Sequence, residues 1–241
     1  LRRNPGRLVG ITLNPLVTMI ALGYMFSNAI DIPGSTNYID FIFAGVAAQV
    51  GLASVGPTAI AVALDVQGGL VDRFRSLPIS RSAVLIGHVL ADLAISMIGL
   101  AVVTAFGLLF GWRPHHGILS ALAGFGLLAV FIFTVLWVGV LLGLAIRNLE
   151  TIESVGGLVA VVFSFLSTGF LSPDKLPTGI QTIAQWNPVS SVISACRDLW
   201  GNSAATATGF PARNPSLVIL VSLGLLFLVT SVLSVRRYRN A

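Results

Sequence analysis

Long apolar stretches alternate with short polar segments along the whole chain. Charge-free runs cover residues 8–30, 41–64, 93–112, 118–146, 154–172 and 216–235. At about 1.5 Å rise per residue, each run is long enough as an α-helix to cross the roughly 30 Å hydrocarbon core of a bilayer. The runs lack the period-two alternation that membrane-spanning β-strands show. With the helix starts that precede two of them, they predict six transmembrane helices at about 8–30, 41–64, 83–112, 118–146, 152–172 and 216–235.

The composition fits an all-α polytopic membrane protein with a single domain over residues 1–241. Of the 241 residues, 55% are hydrophobic and only 10% are charged, and the mean hydropathy is +0.92. A soluble domain carries about 25% charged residues, so the soluble enzyme classes are excluded. The net charge of +5 comes from basic residues scattered between the apolar runs. Since no basic patch with interleaved aromatics occurs, no nucleic-acid partner is expected.

The basic residues indicate how the chain is oriented. Six spans put both termini on one side, and that side holds Arg2, Arg3, Arg7, Arg73, Arg75, Arg81, Arg147, Arg236, Arg237 and Arg239. The other side holds Arg113, Lys175, Arg197 and Arg213. Because positive residues accumulate in cytoplasmic loops, we predict that both termini are cytoplasmic and that the protein lies in the cytoplasmic membrane. The excess of Arg over Lys and the many Ala, Gly and Val residues indicate a bacterial source.

The cytoplasmic segment 65–81 is predicted to form a short amphipathic helix. Its apolar face has i, i+4, i+7 spacing and consists of Leu70, Phe74 and Leu77. Asp72, Arg73 and Arg75 occupy the opposite face and its flank. Pro78 ends the helix because it has no N–H to donate. From these residues alone, the helix is either a membrane-surface element with snorkelling arginines or a docking element for a cytoplasmic partner.

The chain from Phe74 to Arg81 reads Phe-Arg-Ser-Leu-Pro-Ile-Ser-Arg, and residues 87–92 read Gly-His-Val-Leu-Ala-Asp. This string resembles the first cytoplasmic loop of ABC type-2 exporter permeases, the daunorubicin-resistance subgroup in particular. In that family the segment is the coupling helix, which sits in a groove on the ATP-binding cassette subunit. The resemblance implies that the ATPase faces Leu70, Asp72, Arg73, Phe74, Arg75, Leu77, Pro78 and Arg81.

The chain lacks the residues that would bind ATP in a Walker A loop. Its single lysine, Lys175, follows Pro-Asp rather than the Gly-x-x-x-x-Gly that the loop requires. Its single cysteine, Cys196, excludes an internal disulfide and a cysteine-based metal site. We therefore expect no catalytic residue, cofactor or metal in this chain. The resemblance implies that ATP and Mg are bound by two copies of a separate cytoplasmic ATPase subunit.

The external segment 173–215 is predicted to form two short helices broken by prolines. The ordered string Phe170-Leu-Ser-Pro173, Leu176-Pro177, Trp186-Asn187-Pro188, Arg197 and Gly201 resembles the one that follows the fifth span of the same family. The resemblance implies helices at the outer face or partly within the membrane. Structural roles are predicted for Pro173, Pro177, Trp186, Asn187, Pro188 and Arg197, with Arg197 capping a helix end rather than binding substrate.

The N-terminal stretch provides a third match. Arg3-Asn-Pro5 and Leu13-Asn14-Pro15 resemble the interfacial helix that leads into the first span of that family. Asn14 as N-cap and Pro15 as first helical residue would start the span at that point. Residues 8–13 then belong either to the interfacial helix or to the span.

The spans carry no charge near mid-membrane, where an ion-coupled carrier should hold one. Asp92, Glu150 and Glu153 lie near span ends, where structural roles suffice. In the family that the chain resembles, the second and fifth spans line the interface between two permease subunits. We hypothesise that four residues face an export pathway for an amphipathic substrate: Gln49, Phe163, Ser167 and Phe170. The alternative is that the polar residues among them only pack against other helices.

The chain thus resembles the membrane subunit of an ABC type-2 exporter. Two permease chains, as a homodimer or a heterodimer, would pair with two ATPase subunits among membrane lipids. They would move a hydrophobic or amphipathic molecule outward, either a drug or a lipid or glycolipid. The rival classes are an ATP-independent secondary transporter or channel, and a non-transporting membrane scaffold. The lack of a mid-membrane charge counts against the first, and the matched external string counts against the second.

Overall fold

The structure, a computed structural model, describes residues 5–26, 38–68, 81–170, 178–202, 211 and 214–240. In these ranges the regular structure is helical and no strand occurs. The helices within them, numbered in chain order, are α1 (Pro5–Phe26), α2 (Tyr38–Ala53), α3 (Val55–Gln67), α4 (Arg81–Leu109), α5 (Gly117–Ala145), α6 (Leu149–Phe165), α7 (Thr178–Trp186), α8 (Pro188–Trp200) and α9 (Pro215–Asn240).

Among the described residues, five helical segments are long and apolar enough to cross a membrane. They are Leu8–Met25, Tyr38–Gln67, Val84–Leu109, Gly117–Ala145 and Pro215–Tyr238. The outward side chains of α1, α4 and α9 include many exposed leucines and valines, as expected for helices that face lipid rather than water. The prediction of an all-α, multi-pass membrane protein is confirmed by these helices.

The predicted fifth span differs from the helix found in its place. Helix α6 has 17 residues and ends at Phe165, short of the predicted residue 172. It ends there because its last carbonyls find partners without another helical turn. Ser167 Oγ donates to Ser164 O at 2.6 Å, and Asn187 Nδ2 donates to the oxygens of Phe163 and Leu166. The count of six spans and the cytoplasmic position of both termini stay predictions.

The first helix starts before Asn14. Helix α1 runs without interruption from Pro5 to Phe26 and contains Pro15 in its interior. Residues 8–13 therefore belong to the same helix as the rest of the span, and Asn14 is not its N-cap. Pro15 forfeits the hydrogen bond that its N–H would make to the preceding turn. Packing of α1 against α2 and α4 holds the helix together across this gap.

Helix α2 is the central helix of the bundle. Almost all of its residues are buried, because α1, α4, α5, α6 and α8 pack around it. The second predicted span, 41–64, falls on two helices, since α2 ends at Ala53 and α3 begins after the single residue Ser54. Pro57, in the first turn of α3, cannot donate a hydrogen bond to Ala53. Ser54 Oγ instead donates to Gly51 O at 2.6 Å.

Glycines bring α5 into close contact with α3. A Cβ atom added to Gly139 would lie 2.8 Å from Val55 O, and one added to Gly143 would collide with Ala59 O. The motif Gly139-x-x-x-Gly143 therefore allows the two backbones to touch within one chain, as small residues do in membrane helix pairs.

An aromatic cluster joins α8 to the end of the bundle at which α4 ends and α5 begins. Its members are Phe43, Trp112, Phe125 and Trp200. The Phe43 and Trp112 rings stack at 3.9 Å between centroids, and the Trp200 indole N–H donates to Ala121 O at 3.2 Å. Each such ring pair contributes about 0.5–1.5 kcal/mol to stability beyond the free energy of burying its surface. The cluster thus fixes α8, and with it the position of the α7–α8 junction.

Candidate functional site

An open groove lies between α6 and α7. Its volume is about 440 Å³, and it is lined by Val162, Phe163, Leu166, Ile183, Trp186 and Asn187. Phe163 is 40% exposed and Trp186 is 59% exposed, so both rings present an accessible face. Small-molecule sites have volumes of about 300–1,000 Å³ and mostly apolar, aromatic walls. The groove matches that description in both size and chemistry.

Asn187 builds one wall of the groove by joining three elements. Its Oδ1 accepts a hydrogen bond from Val189 N at 3.0 Å, which caps the start of α8. Its Nδ2 donates to Phe163 O at 3.1 Å and to Leu166 O at 3.0 Å, at the end of α6. Pro188 follows as the first residue of α8, where its missing N–H has no cost. Through these bonds the Asn187 side chain holds the junction of α7 and α8 against the end of α6.

Arg197 stabilises the turns that follow α6, next to the groove. This buried side chain donates from Nε to Phe41 O at 2.9 Å, from Nη1 to Thr168 O at 3.0 Å and from Nη2 to Gly169 O at 2.8 Å. Its guanidinium also lies 3.6 Å from the centre of the Phe41 ring, within the range of a cation–π contact. Burial lowers the pKa of Arg197 to about 9, so it is charged at neutral pH. Arg197 thus ties α8 to α2 and to the turns that follow α6.

The four residues assigned to an export pathway do not share one surface of this chain. Phe163 lies in the groove, whereas Gln49, Ser167 and Phe170 are buried. Ser167 bonds within its own turn, and Phe170 packs on Phe165 with 5.7 Å between ring centroids. Trp186 and Asn187, predicted as structural, line the groove beside Phe163. The exposed aromatic pair of Phe163 and Trp186 arises from α6 and α7, and no local sequence signal joins them.

The segment assigned to ATPase docking lies almost wholly outside the described residues. This applies to Leu70, Asp72, Arg73, Phe74, Arg75, Leu77 and Pro78, and also to Pro173 and Pro177 of the external segment. Arg81 is the first residue of α4. The docking assignment therefore stays a prediction.

A buried polar cluster joins α3 to α4. Thr58 Oγ1 donates to Asp92 Oδ2 at 2.8 Å. His88 Nδ1 lies 3.6 Å from Asp65 Oδ2, and His88 Nε2 lies 3.7 Å from Asp92 Oδ2. Thr58 and Asp92 are fully or almost fully buried. The i, i+4 spacing of His88 and Asp92 was the available sequence signal, but the partner Thr58 is 34 residues from Asp92.

The adjacent histidines that precede α5 form hydrogen bonds with residues at the end of α8. His115 Nδ1 lies 2.8 Å from Asn202 Oδ1, and His116 Nδ1 lies 3.0 Å from Asp198 O. Asn202 Nδ2 in turn donates to Arg113 O at 3.4 Å. These contacts attach the end of α8 to the loop between α4 and α5.

These features define a multi-pass α-helical membrane protein with an apolar, aromatic groove on its outer surface. The profile of the ABC-2 type transporter family matches residues 1–200, and the chain belongs to that family. Members of this family are membrane subunits that lack an ATPase site of their own, and the ATPase is a separate subunit. The family resemblance and the assignment as a non-enzymatic permease subunit are both confirmed.

Two of the proteins that this chain is similar to are named for drug resistance. The chain is 32% identical over 236 residues to the daunorubicin resistance ABC transporter permease protein DrrB1 of Streptomyces coeruleorubidus, which covers 98% of this chain and 81% of that protein. It is 26% identical to the probable doxorubicin resistance ABC transporter permease protein DrrC of Mycobacterium tuberculosis, over 97% of this chain and 82% of that protein. It is 24% identical to the putative transport permease ycf38 of Cyanophora paradoxa, over 85% and 71% of the two chains.

Proposed function

We propose that this chain is the permease subunit of an exporter that moves a hydrophobic or amphipathic substrate out across the cytoplasmic membrane of a bacterium. Two copies of a separate cytoplasmic subunit bind ATP and Mg and hydrolyse the ATP, and a second permease chain, identical or related, completes the complex. The observation that carries the proposal is the open groove between α6 and α7, which offers an apolar, aromatic surface to a small molecule.

The lining of the groove favours flat, largely apolar substrates. Phe163 and Trp186 offer ring faces, while Val162, Leu166 and Ile183 supply aliphatic contacts. Asn187 is the polar side chain in the lining, and its amide is already engaged with backbone groups. A substrate is therefore selected by shape and apolar area rather than by charge. A drug of the kind named for the relatives fits this chemistry, and so does a lipid or glycolipid.

The same face of the chain is the proposed contact with a second permease. Exposed apolar side chains continue along α6 beyond the groove, at Leu158, Val161 and Phe165. Apolar surface of this extent is covered by lipid or by another chain. Pairing across this face would enclose two grooves between the permease subunits and give the substrate a protected route.

Replacing Phe163 by alanine is expected to weaken substrate recognition without unfolding the protein. Loss of one aromatic face from the site removes about 1.4 kcal/mol of binding, which corresponds to about a tenfold rise in the substrate concentration for half-maximal transport. The measurement is ATP-dependent uptake of doxorubicin into inside-out proteoliposomes that contain the permease and its ATPase. The matched control is Phe106→Ala, because Phe106 of α4 is 39% exposed and lies outside the groove. Equal transport constants for the two variants would contradict the role of the groove.

Replacing Arg73, Phe74 and Leu77 together by alanine is expected to release the ATPase. The triple variant removes most of the apolar ridge and one flanking charge of the predicted coupling helix, so the affinity for the ATPase should fall at least about a hundredfold. The measurement is co-purification with the cassette ATPase encoded beside this chain. The control is replacement of Arg236 and Arg237, two exposed cations at the end of α9. Wild-type protein that stays folded but captures no ATPase would favour a carrier or a scaffold instead.

A further inference from the structure

The polar cluster formed by Thr58, Asp65, His88 and Asp92 joins two helices, α3 and α4, that share α5 as a neighbour but otherwise pack on different helices. Helix α3 packs mainly on α5 and α6, whereas α4 packs mainly on α1, α5 and α2. The cluster connects the two helices side chain to side chain. A buried carboxylate at such a junction is costly to maintain, and ionisable groups within membrane helices are usually retained for function.

We propose that Asp92 is a positioning residue that transmits the movement of α4 into α3 through its hydrogen bond with Thr58. This inference rests on the proposed function, since it concerns how ATP-driven motion reaches the groove. Helices α3 and α4 lie on either side of residues 69–80, which belong to the segment 65–81 that is predicted to dock on the ATPase. A movement of that segment is transmitted to both helices, because each is covalently joined to it. The Thr58–Asp92 hydrogen bond keeps the two helices in a fixed relative position.

The contacts beyond Thr58 continue toward the groove. Thr58 lies two residues from Gly56, and a Cβ atom added to Gly156 of α6 would lie 2.7 Å from Gly56 Cα. Helix α6 carries Phe163 in its last turn. A shift of α3 is therefore passed to α6 by direct backbone contact, because closely packed helices have little room to absorb it. The route from α4 to the groove runs through Asp92, Thr58, the glycine contact and α6.

His88 adds a second attachment at the same junction. It lies between the carboxylates of Asp65 on α3 and Asp92 on its own helix. Its distances of 3.6 and 3.7 Å to these oxygens are longer than those of hydrogen bonds. Asp92 contacts both Thr58 and His88 with the same Oδ2 atom, so it takes part in two of the three contacts of the cluster.

The test compares Thr58→Val with Thr58→Ser in the reconstituted complex with its ATPase. Valine keeps the shape of threonine but cannot donate to Asp92, whereas serine keeps the hydroxyl and loses only a methyl group. The readouts are ATPase bound per permease, the rate of ATP hydrolysis, and doxorubicin transported per ATP hydrolysed. A third variant, Thr134→Val, controls for the loss of a buried hydroxyl, because among the described residues Thr134 donates to the carbonyl of Val130 in its own helix α5.

The expected result is a loss of coupling without a loss of assembly. For Thr58→Val, bound ATPase stays at the wild-type level and transport per ATP falls about tenfold, the effect of one hydrogen bond to a charged group. Thr58→Ser and Thr134→Val transport like the wild type. Asp92→Asn lowers the ratio as well, and the double variant Thr58→Val/Asp92→Asn loses less than the sum of the two single losses, because both changes weaken the same Thr58–Asp92 hydrogen bond.

Two results would overturn the inference while leaving the proposed function intact. One is a wild-type transport ratio in Thr58→Val. The other is a thermal destabilisation of Thr58→Val that fully accounts for its lost transport and is matched by Thr134→Val. If instead the wild-type complex binds no ATPase or moves no substrate, the proposed function itself fails.

Discussion

Replacing Arg197 by alanine is expected to lower the midpoint of thermal unfolding by about 10 °C. The change leaves three carbonyls, those of Phe41, Thr168 and Gly169, without the donors that now bond them. Each unsatisfied buried acceptor costs about 1–3 kcal/mol, so the total loss is at least about 3 kcal/mol, and each kcal/mol lowers the midpoint by about 2–4 °C in a chain of this size. Lost contact with the Phe41 ring adds to this.

The measurement is thermal unfolding in detergent, followed by the fluorescence of the four tryptophans. Arg113→Ala is the matched control, because Arg113 also donates to two backbone carbonyls but is exposed. Water replaces its hydrogen bonds, so its midpoint should shift by no more than about 2 °C. Arg197→Lys should unfold nearly as early as Arg197→Ala, since an ammonium group cannot reach three carbonyls in the planar arrangement of a guanidinium. Equal midpoints for Arg197→Ala and Arg113→Ala would disprove the structural role of Arg197.

Replacing Gly143 by alanine is expected to destabilise the protein by about 3 kcal/mol, the upper range for an overpacked core. The added Cβ atom would collide with Ala59 O and lie 3.0 Å from Val62 Cβ. Backbone cannot move aside as a flexible side chain can, so α3 must shift away from α5. This prediction opposes helix propensity, which favours alanine over glycine by about 1 kcal/mol.

Gly126→Ala in the same helix separates the two effects. A Cβ atom added to Gly126 meets nothing within 4 Å, so only the gain in helix propensity remains. This variant should be as stable as the wild type or more stable by up to about 1 kcal/mol. The same unfolding assay measures both variants, and opposite signs are expected. A stabilised Gly143→Ala variant would mean that α3 and α5 do not touch as described.

Most of the spanning helices could be predicted from the sequence because each reflects the composition of its own residues. An apolar run of twenty residues specifies a membrane helix without reference to the rest of the chain. The early end of α6 could not be predicted in this way. It depends on Asn187, which donates to Leu166 from 21 residues further along the chain. The single span predicted at 41–64 corresponds to the Tyr38–Gln67 segment, and its interruption at Ser54 has a local cause in Pro57.

The candidate site was predicted only in part, for a related reason. Phe163 was assigned to a substrate path and lines the groove, whereas Trp186 was assigned a structural role and lines it too. Their proximity comes from the hydrogen bonds by which Asn187 holds the end of α7 at the end of α6, and no spacing in the sequence encodes these bonds. Gln49 is buried although its polarity suggested a pathway, because α2 is surrounded by five other helices. Thr58 and Asp92 are recognisable in the sequence as polar residues within the predicted spans. Their hydrogen bond could not be predicted, because the two residues are 34 positions apart.

The turns after α6 determine the order in which parts of the chain fold during synthesis. Residues 166–170 are not helical, yet they pack beside Gly45, which lies within the Tyr38–Gln67 span. The donor that satisfies Gly169 O, Arg197, is 28 residues further along the chain and is synthesised later. Carbonyls without partners are not stable in hydrocarbon. The turns after α6 can therefore reach their final position only after α8 has been made and has packed on the bundle, so a later helix completes the placement of an earlier one.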